Sequence, residues 1–266
     1  MIFSLEVLQA KHGDCLLLHF GEVDNRQVMV IDGGPSGVYR EYLKPRLMEV
    51  KEELSPNAPL PLSLVMVSHM DDDHVNGIVA LTDDLANRKR NNEQLPFIMS
   101  HCWFNTFDDI IGNLQIPRIS SIETSAAAAS LDEIPFPPHT GHEKAAVIAS
   151  TGQGRRLRDN ALFLSVAVNA PFSKPPGKAR LVRGDRTNTM VDWDGLKIQV
   201  LHPNQQRLEE YQKKWDKDLE EAKRSGDERI IIASLVDKDK SAFNLSSIVC
   251  LITLEGRKIL LTGDSR

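Results

Sequence analysis

The ten residues Ser68-His69-Met70-Asp71-Asp72-Asp73-His74-Val75-Asn76-Gly77 follow directly on the apolar run Leu62-Ser63-Leu64-Val65-Met66-Val67. A short apolar run bounded by polar residues reads as a buried strand. Residues 77–85 after it read as a helix. The chain is thereby committed to a strand-loop-helix unit, and so to an α/β architecture. The polar loop lies at the carboxyl end of a strand, where such folds bind ligands. Three consecutive aspartates repel one another and raise one another's pKa. A divalent cation relieves that repulsion, and carboxylates with neutral imidazoles are good ligands for zinc or manganese. An acidic helix start with Asp72 or Asp73 as N-cap accounts for one or two aspartates, but not for a histidine on each side.

With three further stretches, this pattern resembles the metallo-β-lactamase superfamily. His69-x-Asp71-x-Asp73-His74 followed by Gly77 is similar to its H-x-H-x-D-H motif, with Asp71 where the second histidine is usual. That variant is similar to the branch containing the metallo-β-lactamase domain of bacterial DNA-uptake (competence) proteins. The opening, Leu5 to Leu8 through His12-Gly13-Asp14-Cys15-Leu16-Leu17-Leu18, looks like the family's first hairpin. Val30-Ile31-Asp32-Gly33-Gly34 looks like its "IDGG" strand end, and Leu260-Leu261-Thr262-Gly263-Asp264 like its "LTGD" strand.

The resemblance implies a four-layer αββα sandwich with two divalent metal ions, zinc or manganese, at one edge. His69 and Asp71 would hold one ion, Asp73 and His74 the other, and Asp264 would bridge them. Asp73 would also orient the attacking water, which makes it the catalytic candidate. Asp32 would lie beside the metals and orient a ligand imidazole. Exchanging a histidine for Asp71 hardens the first site toward manganese. The implied activity is metal-dependent hydrolysis, most naturally of phosphodiester bonds, with a nuclease included. Lactones, thioesters or other small esters suit the same site, and a metal-binding or interaction module with a degraded site is the non-enzymatic alternative. Where the family carries a further histidine after a strand, this chain has Asn105-Thr106. His101, His142 and His202 are the remaining candidates; His101 reads better as a satisfied strand histidine, His142 as a surface or substrate-side residue, and His202 as part of a plain strand stop. In the resembled family a helix and a ligand-bearing strand follow the Gly-Asp pair. Here two residues follow Asp264, so the resemblance implies an incomplete C-terminal end or an incomplete site.

The 266 residues suit a single domain, with halves at about 1–170 and 185–266 joined by a polar connector over 171–184. A net charge of −5 gives no bulk attraction to nucleic acid, so such a partner would need a local basic patch. The best one is Gly154-Arg155-Arg156-Leu157-Arg158, where Arg155 or Arg156 is placed to meet a phosphate. Cys15, Cys102 and Cys250 are widely spaced and odd in number, which fits a reducing cytoplasm. The first residues lack the basic and apolar regions of a signal peptide, and no apolar stretch approaches the ~18 residues of a membrane span.

Along the chain, 2–9 and 15–20 read as a hairpin, whose Gly13-Asp14 turn needs no role beyond turning, and His19 as a half-buried strand residue. Gln27 to Ile31 reads as a strand, 39–54 as an amphipathic helix, 97–105 as a strand, and 119–131 and 143–158 as helices. Residues 196–201 read as a strand, and the stripe Leu208, Tyr211, Trp215, Leu219, Ala222 as the core face of a helix. Residues 225–243 read as a loop near the cleft, and 248–254 with 257–262 as a hairpin that delivers Asp264.

Overall fold

A computed structural model describes residues 1–106, 109–110, 142–172, 174, 180–186, 189–210, 213, 244 and 246–265, with the backbone alone for 142–151. Three N-terminal strands, β1 (Ile2–Val7), β2 (Leu16–Glu22) and β3 (Asn25–Ile31), form an antiparallel meander. The polypeptide then crosses over through a π-helical turn (Tyr39–Leu43) and α1 (Lys44–Leu54). β4 (Leu60–Met66) joins β3 in parallel. After α2 (Asp72–Arg90), β5 (Phe97–Met99) and β6 (His101–Trp103) pair with β4 in parallel, and after α3 (His142–Phe163), β7 (Ala167–Val168) joins β6. The result is a mixed seven-stranded sheet. A second, antiparallel sheet holds β8 (Met190–Trp193), β9 (Leu196–His202), β10 (Val249–Leu254) and β11 (Arg257–Leu261) in the order β11-β10-β9-β8.

The strands of the first sheet are apolar on both faces because both faces are covered. Leu17, Val28, Val30, Leu62 and Val65 pack toward the helices, against Leu43, Leu47, Val50, Val75, Ile78, Leu81, Leu85, Leu157 and Ala161. Their neighbours Leu18, Phe20, Met29, Ile31, Leu64 and Met66, with Trp103, meet Ile198, Val200, Cys250, Ile252 and Leu254 of the second sheet. The described residues thus form three layers, helices, mixed sheet and antiparallel sheet. The expected helix 119–131, the loop 225–243 and nearly all of the stripe from Leu208 to Ala222 lie outside the described residues.

Several boundaries differ from the expectation. α2 starts at Asp72 and runs to Arg90, well beyond 77–85. Its N-cap is Asp71, in extended conformation and with no side-chain capping bond, so neither Asp72 nor Asp73 caps it. Acidic residues in the first turn and Arg88, Lys89 and Arg90 in the last both complement the helix dipole, which carries the helix through its polar end. The strand expected over 97–105 is broken at Ser100, whose N–H turns to the Leu62 carbonyl. His19 is buried, with Nε2 3.0 Å from Glu6. The connector over 171–184 is more than a polar link, because Phe172, Leu181 and Val182 are buried. The Asn105 side chain bonds the Val182 backbone both ways, at 2.9 and 3.0 Å, and fastens that segment beside β6. All three cysteines are buried and unpaired. Among the described residues no helix is long and apolar enough to cross a membrane.

Candidate metal centre

The loop 67–71 leaves β4 at the edge where both sheets meet. The Ser68 carbonyl accepts from the Ile248 N–H at 2.8 Å, which ties the start of the loop to the second sheet. Asp32 ends β3 at φ 55°, its N–H bonded to the Met66 carbonyl at 2.8 Å. The first turns of α2 press directly on this strand end. The Gly33 N–H donates to the His74 carbonyl at 2.8 Å and the Gly77 N–H to the Gly34 carbonyl at 3.0 Å. A Cβ on Gly77 would lie 1.8 Å from the Gly33 oxygen, so only glycine permits this approach. It brings His74 Nδ1 to 2.9 Å from Asp32 Oδ2. On the other side, Gly13 at φ 79° packs its Cα against the Asp73 backbone, where a Cβ would lie 1.9 Å from the carbonyl oxygen. The β1–β2 turn therefore folds over the start of α2 and carries Asp14 with it.

Among the described residues, two groups of donor atoms result. Those of His69, His74 and Asp264 lie within 4.8 Å of one another, and so do those of Asp14, Asp32 and His74. His74 Nε2 is 3.7 Å from Asp264 Oδ1, and His69 Nε2 is 3.4 Å from Asp71 Oδ2. Ligand atoms in a tetrahedral shell of radius about 2.1 Å stand about 3.4 Å apart, so both separations suit a shared cation. His69 Nε2 is buried and, among the described residues, has no hydrogen-bond partner. A buried nitrogen without a partner costs stability, and a metal ion satisfies it. The donor set, two imidazoles and several carboxylates, suits zinc or manganese.

The electrostatics agree with this fit. Burial pushes His74 toward its neutral form, but the bond to Asp32 and the charges of Asp32, Asp73 and Asp264 outweigh it and lift its pKa to about 9. In the metal-free protein a proton thus supplies positive charge at His74. Asp14 is raised above the ordinary carboxylate range, first by burial and then by Asp32 and Asp264. Carboxylates crowded this closely favour whatever cation is offered.

Of the residues expected from sequence, His69, His74 and Asp264 come together, with Asp71 against His69 and Asp32 against His74. Asp73 belongs to neither close group and acts on His74 through its charge. Asp14 is the residue that sequence reasoning passed over as a plain turn. His101 holds the Ser63 carbonyl at 3.2 Å and stacks on Trp193, His202 joins neither group, and the side chain of His142 lies outside the described residues. Asn105, where the resembled family carries a further histidine, is occupied with Val182. Arg155 and Arg156 line a groove of about 620 Å³ between α2 and α3 together with Asp83, Arg90 and Asp159. Arg156 is paired with Asp83 there, at 2.8 Å. Gln153, on the same groove, hydrogen-bonds Asp72 and Asn76 and so joins α3 to the first turn of α2.

Compared with protein-family models and with curated proteins, the sequence matches none.

Proposed function

We propose that this chain is a metal-dependent hydrolase of the metallo-β-lactamase type, acting on phosphodiester bonds. The observation that carries the reading is the buried Nε2 of His69, without a hydrogen-bond partner among the described residues and set among the donor atoms of His74, Asp71 and Asp264. Two divalent cations, zinc or manganese, would supply an acidified water and electrophilic polarisation of the scissile group. His69 and Asp71 would grip one ion, and His74 and Asp264 the other. Asp14 is placed to share in that grip. Asp32 holds His74 in orientation by the 2.9 Å bond to Nδ1. Asp73, on the first turn of α2, is the residue assigned to accept the proton of the attacking water. Asp264 is half-exposed, and substrate would approach from its side. The αββα sandwich is part of the same proposal, and the three described layers are consistent with it.

A phosphodiester suits a site whose own side chains are mainly anionic only when cations fill it, because an anionic substrate is repelled by the bare carboxylates. The α2–α3 groove carries Arg90, Arg155 and Arg156 alongside Asp83 and Asp159, and those arginines would favour an anionic substrate over a neutral lactone or thioester. The test begins with metal content by mass spectrometry on chain purified without chelator or added metal. About two equivalents of zinc or manganese are expected. Hydrolysis of bis(p-nitrophenyl) phosphate and single-stranded DNA is then compared with that of lactones and thioesters. Asp73→Ala and His74→Ala should abolish the activity in folded protein. Full activity in either variant, or near-zero metal after soaking, sinks the proposal.

A further inference from the structure

One side chain at the centre has no role in the scheme above. Ser68 is buried, and its hydroxyl lies 2.7 Å from Asp32 Oδ2, 3.0 Å from His69 Nδ1 and 3.5 Å from His74 Nδ1. Its own backbone N–H donates to the other oxygen, Asp32 Oδ1, at 2.7 Å. Counting protons fixes the direction of each bond. An ionised carboxylate only accepts, and a hydroxyl has a single proton to give. The Ser68 O–H therefore donates to Asp32. Its oxygen is then free only to accept, so His69 Nδ1 must carry a proton and donate. His74 Nδ1 likewise donates to Asp32 Oδ2. Each neutral imidazole is left with a bare Nε2, His69's in the buried position without a partner and His74's toward Asp264.

We infer that Ser68 is a positioning residue that transmits the hydrogen-bond polarity of Asp32 to His69, so that one buried carboxylate sets the tautomer of both histidines. This deepens the metal-centre reading and rests on it only for its purpose, since the bond pattern exists in the chain without any ion. The consequence is specific. In Asp32→Asn the amide oxygen still accepts from the Ser68 N–H, which cannot reverse. The amide nitrogen then takes the place of Oδ2 and donates to Ser68 Oγ and to His74 Nδ1. The Ser68 proton turns to His69 Nδ1, and both imidazoles are driven to the Nε2–H tautomer. In Ser68→Ala only His69 loses its determinant, because His74 keeps its direct bond to Asp32.

The test is nitrogen-15 correlation spectroscopy of the histidine rings in the full chain without metal, at alkaline pH where the ring shifts no longer change. Wild type should show Nδ1–H for both His69 and His74. Asp32→Asn should show Nε2–H for both, and Ser68→Ala a change confined to His69. A His69 pattern that is unmoved in either variant overturns the inference, as does an Nε2–H tautomer in wild type. If one variant fails to fold, as judged by amide shift dispersion, the other decides alone. Zinc titration separates this inference from the functional reading. The expected tautomers without zinc uptake would sink the hydrolase and leave the relay standing. Zinc uptake with an unmoved His69 would do the reverse. With both intact, Asp32→Asn should bind zinc about 10–100-fold more weakly at this pH.

Discussion

The proton that His74 carries in the metal-free protein must leave before an ion can bind, and this gives metal affinity a calculable pH dependence. With a pKa of about 9, the ring is neutral in only about one molecule in a hundred at pH 7, which lowers the apparent affinity about 100-fold, or about 2.7 kcal/mol. Apparent affinity should therefore rise about tenfold per pH unit from 7 and level off near 9. Asp32→Asn removes the group chiefly responsible for the raised value, so the His74 pKa falls while Asp73 and Asp264 still oppose burial. Proton competition at pH 7 is thereby reduced. Against that gain stands the about 10–100-fold loss from misorienting a ligand imidazole. The two effects oppose at pH 7, so the variant's deficit should be smaller there than at pH 9.5, where it should bind about 10–100-fold more weakly than wild type. The assay is competition with a chromophoric zinc chelator across this range. A penalty that does not change with pH, or a wild-type affinity flat from pH 7 to 9, would refute the reasoning.

Two further perturbations test the scaffold. Gly77→Ala forces a Cβ to 1.8 Å from the Gly33 oxygen, and backbone stands on both sides, so urea unfolding should show a loss of more than about 3 kcal/mol. Gly256→Ala, at φ 79° with nothing within 4 Å, should lose only the backbone strain of about 1–2 kcal/mol, and equal losses would disprove the close-approach argument. Asp84 accepts from Tyr39 at 2.6 Å and Lys44 at 2.7 Å. Burial raises its pKa, but those bonds hold it below its ordinary 3.8. A depressed carboxylate stabilises the fold above its unfolded value, and that contribution is lost as pH falls through the native value. Asp84→Asn should therefore lower stability at pH 7 by about 1–3 kcal/mol and flatten the acid limb of the stability curve. An unchanged acid limb would remove Asp84 from the account.

Sequence pattern singled out most residues of the candidate centre because its main parts are local. A β-branched strand, a polar loop and a helix place His69, Asp71 and His74 within a few residues of one another, and "IDGG" and "LTGD" each end a strand with an aspartate. Asp14 escaped because Gly-Asp explains itself as a turn. Nothing near it in sequence says that Gly13 will rest on the backbone of Asp73. The contacts of Ser68 were invisible for a similar reason: a serine at a strand end is unremarkable until Asp32, from another strand, reaches both its N–H and its hydroxyl. The N-cap was misplaced because any of three consecutive aspartates satisfies the local rule. Contact with β3 through Gly33 and Gly77 chose Asp71. The connector was read as polar because its proline and basic residues dominate, while Phe172, Leu181 and Val182 are buried by long-range packing that composition does not report.

The joint between the two sheets carries a topological consequence. His74 lies on the first turn of α2, while Asp264 lies just beyond the last strand of the second sheet, 264 − 74 = 190 positions later. An ion gripped by both would be a cross-link that closes a loop of that length. By the chain-entropy relation for cross-links, closing about 190 residues disfavours the unfolded chain by about 5 kcal/mol. The ion would then act as a clasp on the whole architecture as well as a reagent. Stripping it should loosen the second sheet from the first before either sheet loses its own strands, beginning where Ile248 meets Ser68.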